Sequence, residues 1–162
     1  MTIAEKLLPE FDQEMATTRR LLARVPDDNG DWKPHPRSFS VAHLAQLVAR
    51  MPGWQTLALK YTTLDLNSGA TYTNESTATL LAEFDKNVAE ARAAIAEAAD
   101  ADFAIHWSLT AGDRVLMTLP REVVVRQNMN HLIHHRGQLT VYLRELDVPL
   151  PSIYGPTADE PW

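Results

Sequence analysis

The chain contains no cysteine, and this absence removes several kinds of chemistry. A disulfide, a thiolate zinc site and a cysteine nucleophile are all excluded. Long apolar runs are also lacking. In the first residues, MTIAEKLLPEFDQEM, acids stand where a signal peptide needs an unbroken apolar stretch. No run reaches the length of a transmembrane helix. We therefore expect a cytoplasmic protein that does not enter a membrane.

Positive charge is scarce as well. The chain has 15 lysines and arginines against 21 acidic residues, which gives a net charge of −6. Nucleic-acid binding requires a basic surface, so this balance disfavours a nucleic-acid partner. The length of 162 residues and the 45% hydrophobic content fit one domain, residues 1–162, with a substantial core.

Apolar residues at helical spacing predict four long helices. The first runs from about Ile3 to Arg24. The second begins after Ser40, whose side chain suits a helix N-cap, and Pro52 either kinks or ends it. The third covers 77–99, and the fourth runs from Arg121 to about Asp147.

The segment between the third and fourth helices has a different pattern. Apolar residues alternate in two short runs, with Ala111–Asp113 between them as a turn. This alternation predicts a β-hairpin. The expected fold is therefore an all-α antiparallel four-helix bundle with a short β-hairpin insert before the last helix. The tail after Asp147 has four prolines and is predicted to pack as an extended strap.

Three of the six histidines lie within the last helix, in the stretch NHLIHHRGQLTVYLR (130–144). At about 100° per residue, His131 and His135 lie roughly 40° apart on one stripe, and His134 lies to one side. Histidines at i and i+4 can converge on one divalent metal ion, and a third ligand must come from another helix. His43, one turn into the second helix, is the candidate. The alternative is that His43 is a core-edge histidine that only contacts its neighbours.

Further predictions concern the surroundings of this pair. His131 and His135 should point together into a groove that faces the second helix. Gln138 lies on the same stripe and should contact that groove. Arg136 points away from the stripe and should pair with an acid or with carbonyls of the C-terminal strap.

The histidine stretch, the upstream WKPHPRSFSVAHLAQLVARMPGW and the tail VPLPSIYGPTADE resemble the DinB/YfiT-like family. The resemblance covers nearly the whole chain, from Trp32 to Glu160. It implies an up-down-down-up four-helix bundle, often a homodimer, with zinc or nickel held by three histidines between helices. In relatives that are enzymes, the metal activates a low-molecular-weight thiol for transfer or isomerisation.

Matched position by position, the family's two last-helix ligands fall on His131 and His135. The family's ligand on the second helix, seven residues after Ser40, falls on Leu47. His43 lies one turn earlier on nearly the same face. The resemblance therefore implies His131 and His135 as metal ligands with His43 as the third candidate. It predicts a weakened site that is partly filled or empty.

Two classes of function stay open. The first is a metal-dependent thiol transferase or hydrolase, in which the metal lowers the pKa of a bound water or thiol and Gln138, Tyr142 or His134 positions the substrate. The second is a non-catalytic dimeric bundle with a degenerate metal site, acting in stress response or ligand binding. A homodimer is expected in both, through apolar surface that includes Trp54 and Trp162.

Overall fold

A computed structural model describes residues 1–69 and 71–161 of the chain. The protein is mostly helical, with four long helices and one short helix, α4. In chain order the helices are α1 (Ile3–Leu22), α2 (Val41–Lys60), α3 (Thr77–Glu97), α4 (Asp100–Phe103) and α5 (Arg121–Glu145). No helix in these residues is long and apolar enough to cross a membrane. Trp162, expected at a dimer surface, lies outside the described residues.

Local sequence signals account for where the long helices begin. The Thr2 hydroxyl accepts a bond from the Glu5 N–H, and the Glu5 carboxylate accepts one from the Thr2 N–H, which closes a capping box on α1. Ser40 caps α2 by accepting from the His43 N–H at 3.3 Å. Helix α2 continues through Pro52 to Lys60, so the alternative that Pro52 ends this helix is wrong.

Each long helix packs against two others. Helix α2 contacts α3 and α5, and α1 contacts the same two helices. Phe11, Leu44, Phe84 and Leu132 come from the four helices in turn and are all fully buried between them. The contact between α2 and α5 joins the helices that carry His43 and the His131–His135 pair.

A small three-stranded sheet packs beside the helices, in the order β1 (Thr63–Asp65), β2 (His106–Ala111), β3 (Arg114–Pro120). Strands β2 and β3 are antiparallel and joined at Gly112, whose φ of +59° suits glycine. Strand β1 pairs in parallel with β2 and lies in a stretch of turn-forming residues, where no sequence pattern indicates a strand. The sheet brings the buried Trp107 of β2 against the core.

The residues after α5 form the expected strap without regular secondary structure. Two acids hold it in place. The Asp159 carboxylate accepts from the Leu150 N–H and pairs with Arg144. The Glu160 carboxylate accepts from the Ser152 N–H and pairs with Arg20 of α1. The strap therefore runs back over the helices rather than into solvent.

Candidate functional site

His131 and His135 form a closely spaced pair on α5. Their Nε2 atoms lie 2.9 Å apart, and Nδ1 of His135 lies 2.8 Å from the Gln138 side-chain oxygen. When His135 is neutral, the bond to Gln138 holds its proton on Nδ1, which leaves the Nε2 lone pair facing His131. The Gln138 bond thus fixes one ring of the pair in the orientation that a metal ligand or a proton acceptor requires.

Burial lowers the pKa of both histidines below the ordinary value, and neighbouring histidines lower each pKa further. For His135, the bond to Gln138 opposes this trend. His135 is only 8% exposed, whereas His131 is exposed at the edge of the site. Each ring therefore favours its neutral form, in which one ring nitrogen keeps a lone pair.

The groove that the pair faces is formed by α2. The ring of His131 lies 5.6 Å from the ring of Trp54, and the ring of His135 lies 6.3 Å from that of Phe39, just before α2. The prediction that both histidines point toward the second helix is confirmed. Trp54, expected to supply surface for a dimer, is half-buried against His131.

His43 lies in a different environment from the pair. Its imidazole is stacked between Phe39 and Tyr72, with ring centroids 4.1 and 3.9 Å away. The guanidinium of Arg50 covers the Tyr72 ring at 5.2 Å. Burial, followed by the nearby charge of His135, lowers the pKa of His43. The His43 ring is near the His131–His135 pair, but stacking between two aromatic rings fixes the plane of the imidazole.

The donor set can be compared with what zinc or nickel requires. Two imidazole nitrogens 2.9 Å apart can both bind one ion at about 2.0–2.1 Å each. Among residues 1–69 and 71–161, however, no three His, Asp or Glu side chains are grouped to hold a metal ion. Leu47, at the family's ligand position, is 6% exposed within the core. The pair fits two ligand positions, the three-histidine set is not assembled in this arrangement, and His43 as third ligand stays a prediction.

The other residues predicted around the pair have distinct contacts. Gln138 contacts the groove through His135, as expected. Tyr142 packs edge-on against Trp32 at 5.6 Å, and His134 is exposed with its ring 5.1 Å from that of His135. Arg136 forms a buried ion pair with Glu14 and donates to the Tyr154 hydroxyl of the strap, so its predicted structural role is confirmed.

An apolar cavity of about 240 Å³ lies beside the histidine pair, between α2, the sheet and α5. Its wall consists of Trp54, Leu64, Leu66, Trp107, Leu109, Met117, Val124, Gln127, Asn128 and His131. No charged side chain is among these residues. His131 belongs to both the cavity wall and the histidine pair, which joins the two features into one site.

Several residues of this site had no signal in the sequence. The alternation in β2 and β3 did indicate that Trp107, Leu109 and Met117 share a face. Leu64 and Tyr72 lie in a stretch of turn-forming residues, where nothing indicated that they contact the site. The one signal for Tyr72 in the sequence is that it is an aromatic residue that follows several polar ones.

The chain is similar to proteins of known structure and to one family. A DinB-like protein from Bacillus subtilis superposes with a TM-score of 0.72 at 18% identity, over 91% of this chain and 97% of that one. A DinB-like protein from Bacillus cereus superposes with a TM-score of 0.73 at 20% identity, over 93% and 97%. No curated protein matches significantly. The profile of the DinB family matches residues 1–161, and the chain therefore belongs to the DinB family.

Proposed function

We propose that this protein binds a small molecule whose uncharged apolar part fills the cavity between α2, the sheet and α5. The polar part of the ligand then lies against the His131–His135 pair. The observation that carries this proposal is the position of His131, which lines the cavity and also lies 2.9 Å from His135 through its Nε2 atom. A ligand in the cavity therefore contacts the pair directly.

The cavity wall defines the class of ligand. Its polar side chains are two amides, from Gln127 and Asn128, and the imidazole of His131. The absence of charged side chains from the cavity wall favours a neutral ligand, because a charged group of the ligand would lose its hydration without gaining a partner. The expected ligand is a neutral aromatic or branched aliphatic group that carries a hydrogen-bond acceptor for these side chains.

Transfer or hydrolysis assisted by zinc or nickel is the second candidate function. The bond that Nδ1–H of His135 donates to the Gln138 side-chain oxygen orients His135 and favours this function, because such a bond supports metal ligands in many proteins. A bound ion would lower the pKa of a water or thiol. His131 and His135 would hold the ion, and His43 is the proposed third ligand. Its ring is stacked between Phe39 and Tyr72, which gives no support for that role.

We also propose how the helices and strands are arranged. The contacts of α1 and α2 with α3 and α5 support an up-down-down-up four-helix bundle. Strands β2 and β3 would be its hairpin insert, with β1 added at one side. We propose that the protein acts in the cytoplasm.

The cavity can be tested with a neutral fluorescent probe, N-phenyl-1-naphthylamine. The wild-type protein should bind it saturably, at one site per chain, with quenching of tryptophan fluorescence from Trp54 and Trp107. Leu109→Trp should fill the cavity and weaken binding by at least about tenfold, a change of about 1.4 kcal/mol. Leu116→Trp is the matched control, because Leu116 is exposed on β3 and does not line the cavity.

The result that contradicts the proposal is equal affinity for the probe in wild-type protein and in Leu109→Trp. Circular dichroism of both variants shows whether the fold is retained. Isothermal titration with the same probe confirms the stoichiometry.

A further inference from the structure

A second cavity, of about 350 Å³, lies between the first two turns of α1 and the first two turns of α5. We call it the α1–α5 cavity. It differs from the apolar cavity beside the histidine pair, because charged side chains of both signs line it. Its wall includes Ile3, Lys6, Leu7, Glu122, Val123 and Arg126.

The apolar part of this wall comes from both helices. Ile3 and Leu7 lie one turn apart on α1, and Val123 lies on α5. Leu7 is buried and Ile3 is half-buried, whereas Val123 is 39% exposed. A hydrocarbon group in the α1–α5 cavity would therefore remove apolar surface of Val123 from water, which favours binding.

The charged part of the wall is only partly neutralised. Nη1 of Arg126 donates to both carboxylate oxygens of Glu10, which balances the charge of Arg126. Lys6 and Glu122 form no ion pair in the described part of the chain. One unpaired ammonium and one unpaired carboxylate thus line the same cavity but lie too far apart to pair with each other.

A ligand that matches all three parts of the wall carries a carboxylate, an ammonium and an apolar group. Lys6 can pair with the carboxylate and Glu122 with the ammonium. Such a zwitterion has no net charge, so the net charge of −6 on the chain neither attracts nor repels it. A single exposed ion pair contributes little, which means that selectivity requires both charges together with the apolar contact.

We infer that the α1–α5 cavity binds a free α-amino acid with a branched aliphatic or aromatic side chain. Lys6 and Glu122 bind its two charged groups, and its side chain packs on Leu7 and Val123. The amino terminus of a peptide lacks the neighbouring carboxylate and does not match Lys6. Gln127 lines both cavities, but this inference does not depend on the function proposed for the apolar cavity.

Isothermal titration calorimetry at neutral pH tests the inference, with L-leucine and L-phenylalanine as probes. Wild-type protein should bind both at one site per chain. Leucinamide keeps the ammonium of leucine but lacks the carboxylate, and 4-methylpentanoate keeps the carboxylate but lacks the ammonium. Each analogue should bind about tenfold more weakly than leucine, because a bond to a charged group is lost.

Two variants assign the charges to residues. Glu122→Gln should weaken leucine binding about tenfold and leave 4-methylpentanoate binding unchanged, since that analogue has no ammonium. Lys6→Met should weaken leucine binding by a similar factor and leave leucinamide binding unchanged. Both side chains are exposed, so the circular dichroism spectrum should not change. Glu90→Gln and Lys86→Met, at exposed positions of α3, are the matched controls and should bind leucine like wild type.

The inference is overturned if wild-type protein binds neither amino acid saturably up to about 10 mM. It is equally overturned if either analogue binds as tightly as leucine, or if Glu122→Gln weakens the binding of leucine and of 4-methylpentanoate to the same extent. Equal losses in the two α3 controls would show a general effect of charge and would also overturn it.

Discussion

Arg136 and Glu14 form an ion pair in the interior of the protein, with Nη1 of Arg136 2.6 Å from Oε2 of Glu14. Their side chains are only 2% and 8% exposed. The Tyr154 hydroxyl accepts from Nη2 of Arg136 at 2.8 Å and donates to Glu14 at 3.0 Å. Three parts of the chain, α1, α5 and the C-terminal strap, are therefore joined by one polar network, in which the ion pair is buried and Tyr154 is exposed.

Removal of one partner of this pair should strongly destabilise the fold. Arg136→Met leaves the Glu14 carboxylate buried without its countercharge, and we expect a loss of about 3–5 kcal/mol in the free energy of unfolding. Urea denaturation monitored by circular dichroism measures the loss. A change below about 1 kcal/mol would show that the network contributes little.

The double variant Glu14→Leu/Arg136→Met separates buried charge from lost packing. With both charges removed, no ion is left unpaired, so the double variant should be more stable than Arg136→Met alone. Tyr154→Phe provides a milder control that removes only the hydroxyl. The losses of stability in Glu14→Leu and in Arg136→Met should not simply add in the double variant. Additive losses would contradict this account.

The stability of metal-free protein should fall as the pH is lowered from 7 to 5. Burial lowers the pKa of His43, His131 and His135 below the ordinary value near 6.5. Below pH 6.5 the unfolded chain binds protons that the folded chain does not, so stability decreases until the folded pKa values are reached. The depressed carboxyl pKa values of Asp159 and Glu160 act at lower pH.

Urea denaturation in the presence of a chelator, at several pH values between 7.5 and 5, measures this effect. His131→Gln/His135→Gln should flatten the dependence. His106→Gln, which replaces an exposed histidine on β2, should leave it intact. A flat profile in wild-type protein would mean that the three imidazoles take up protons freely when folded.

Metal retention should improve when the family's ligand is restored on α2. Leu47→His places an imidazole at the position that the resemblance assigns to the third ligand, and a third ligand is what makes such a site persistent. After identical dialysis against zinc or nickel, elemental analysis should find more metal in Leu47→His than in wild type. Leu47→Gln controls for the polarity of the buried side chain, which itself costs stability.

Stoichiometric metal in wild-type protein, with no gain from Leu47→His, would show that another group already completes the site. His43→Phe then identifies that group. Phenylalanine preserves the stack between Phe39 and Tyr72 but cannot bind metal. Retention that is unchanged in His43→Phe and lost in His131→Ala assigns the site to the α5 pair without His43.

Gly137→Ala should stabilise the isolated chain by about 1 kcal/mol, because alanine favours the helix and its Cβ meets no neighbour within 4 Å. The free energy of unfolding should be measured at protein concentrations near 1 µM, where any association between chains is weakest. Gly112→Ala is the opposite control, since its φ of +59° suits glycine and alanine should destabilise the turn. A destabilised Gly137→Ala would show that a contact within the chain does require the glycine.

The sequence predicted much of the site because its signals are local. Spacing along one helix was enough to place His131 and His135 on a common face, and the structure brings their Nε2 atoms to 2.9 Å. Helix caps and apolar periodicity likewise predicted the four long helices. The same reasoning could not reach Tyr72, which stacks on His43 from a segment without regular structure.

What the sequence determined by itself was the set of elements and the face that each presents, because hydrogen bonding and periodicity act over a few residues. The tertiary structure alone decided which faces meet. Strand β1 pairs with β2 across more than 40 positions of sequence, and this pairing brings Leu64 to the cavity. Arg136 and Glu14 lie 122 positions apart, and only the packing of α1 against α5 makes them partners. Such contacts depend on side-chain fit between distant segments, and no local pattern encodes that fit.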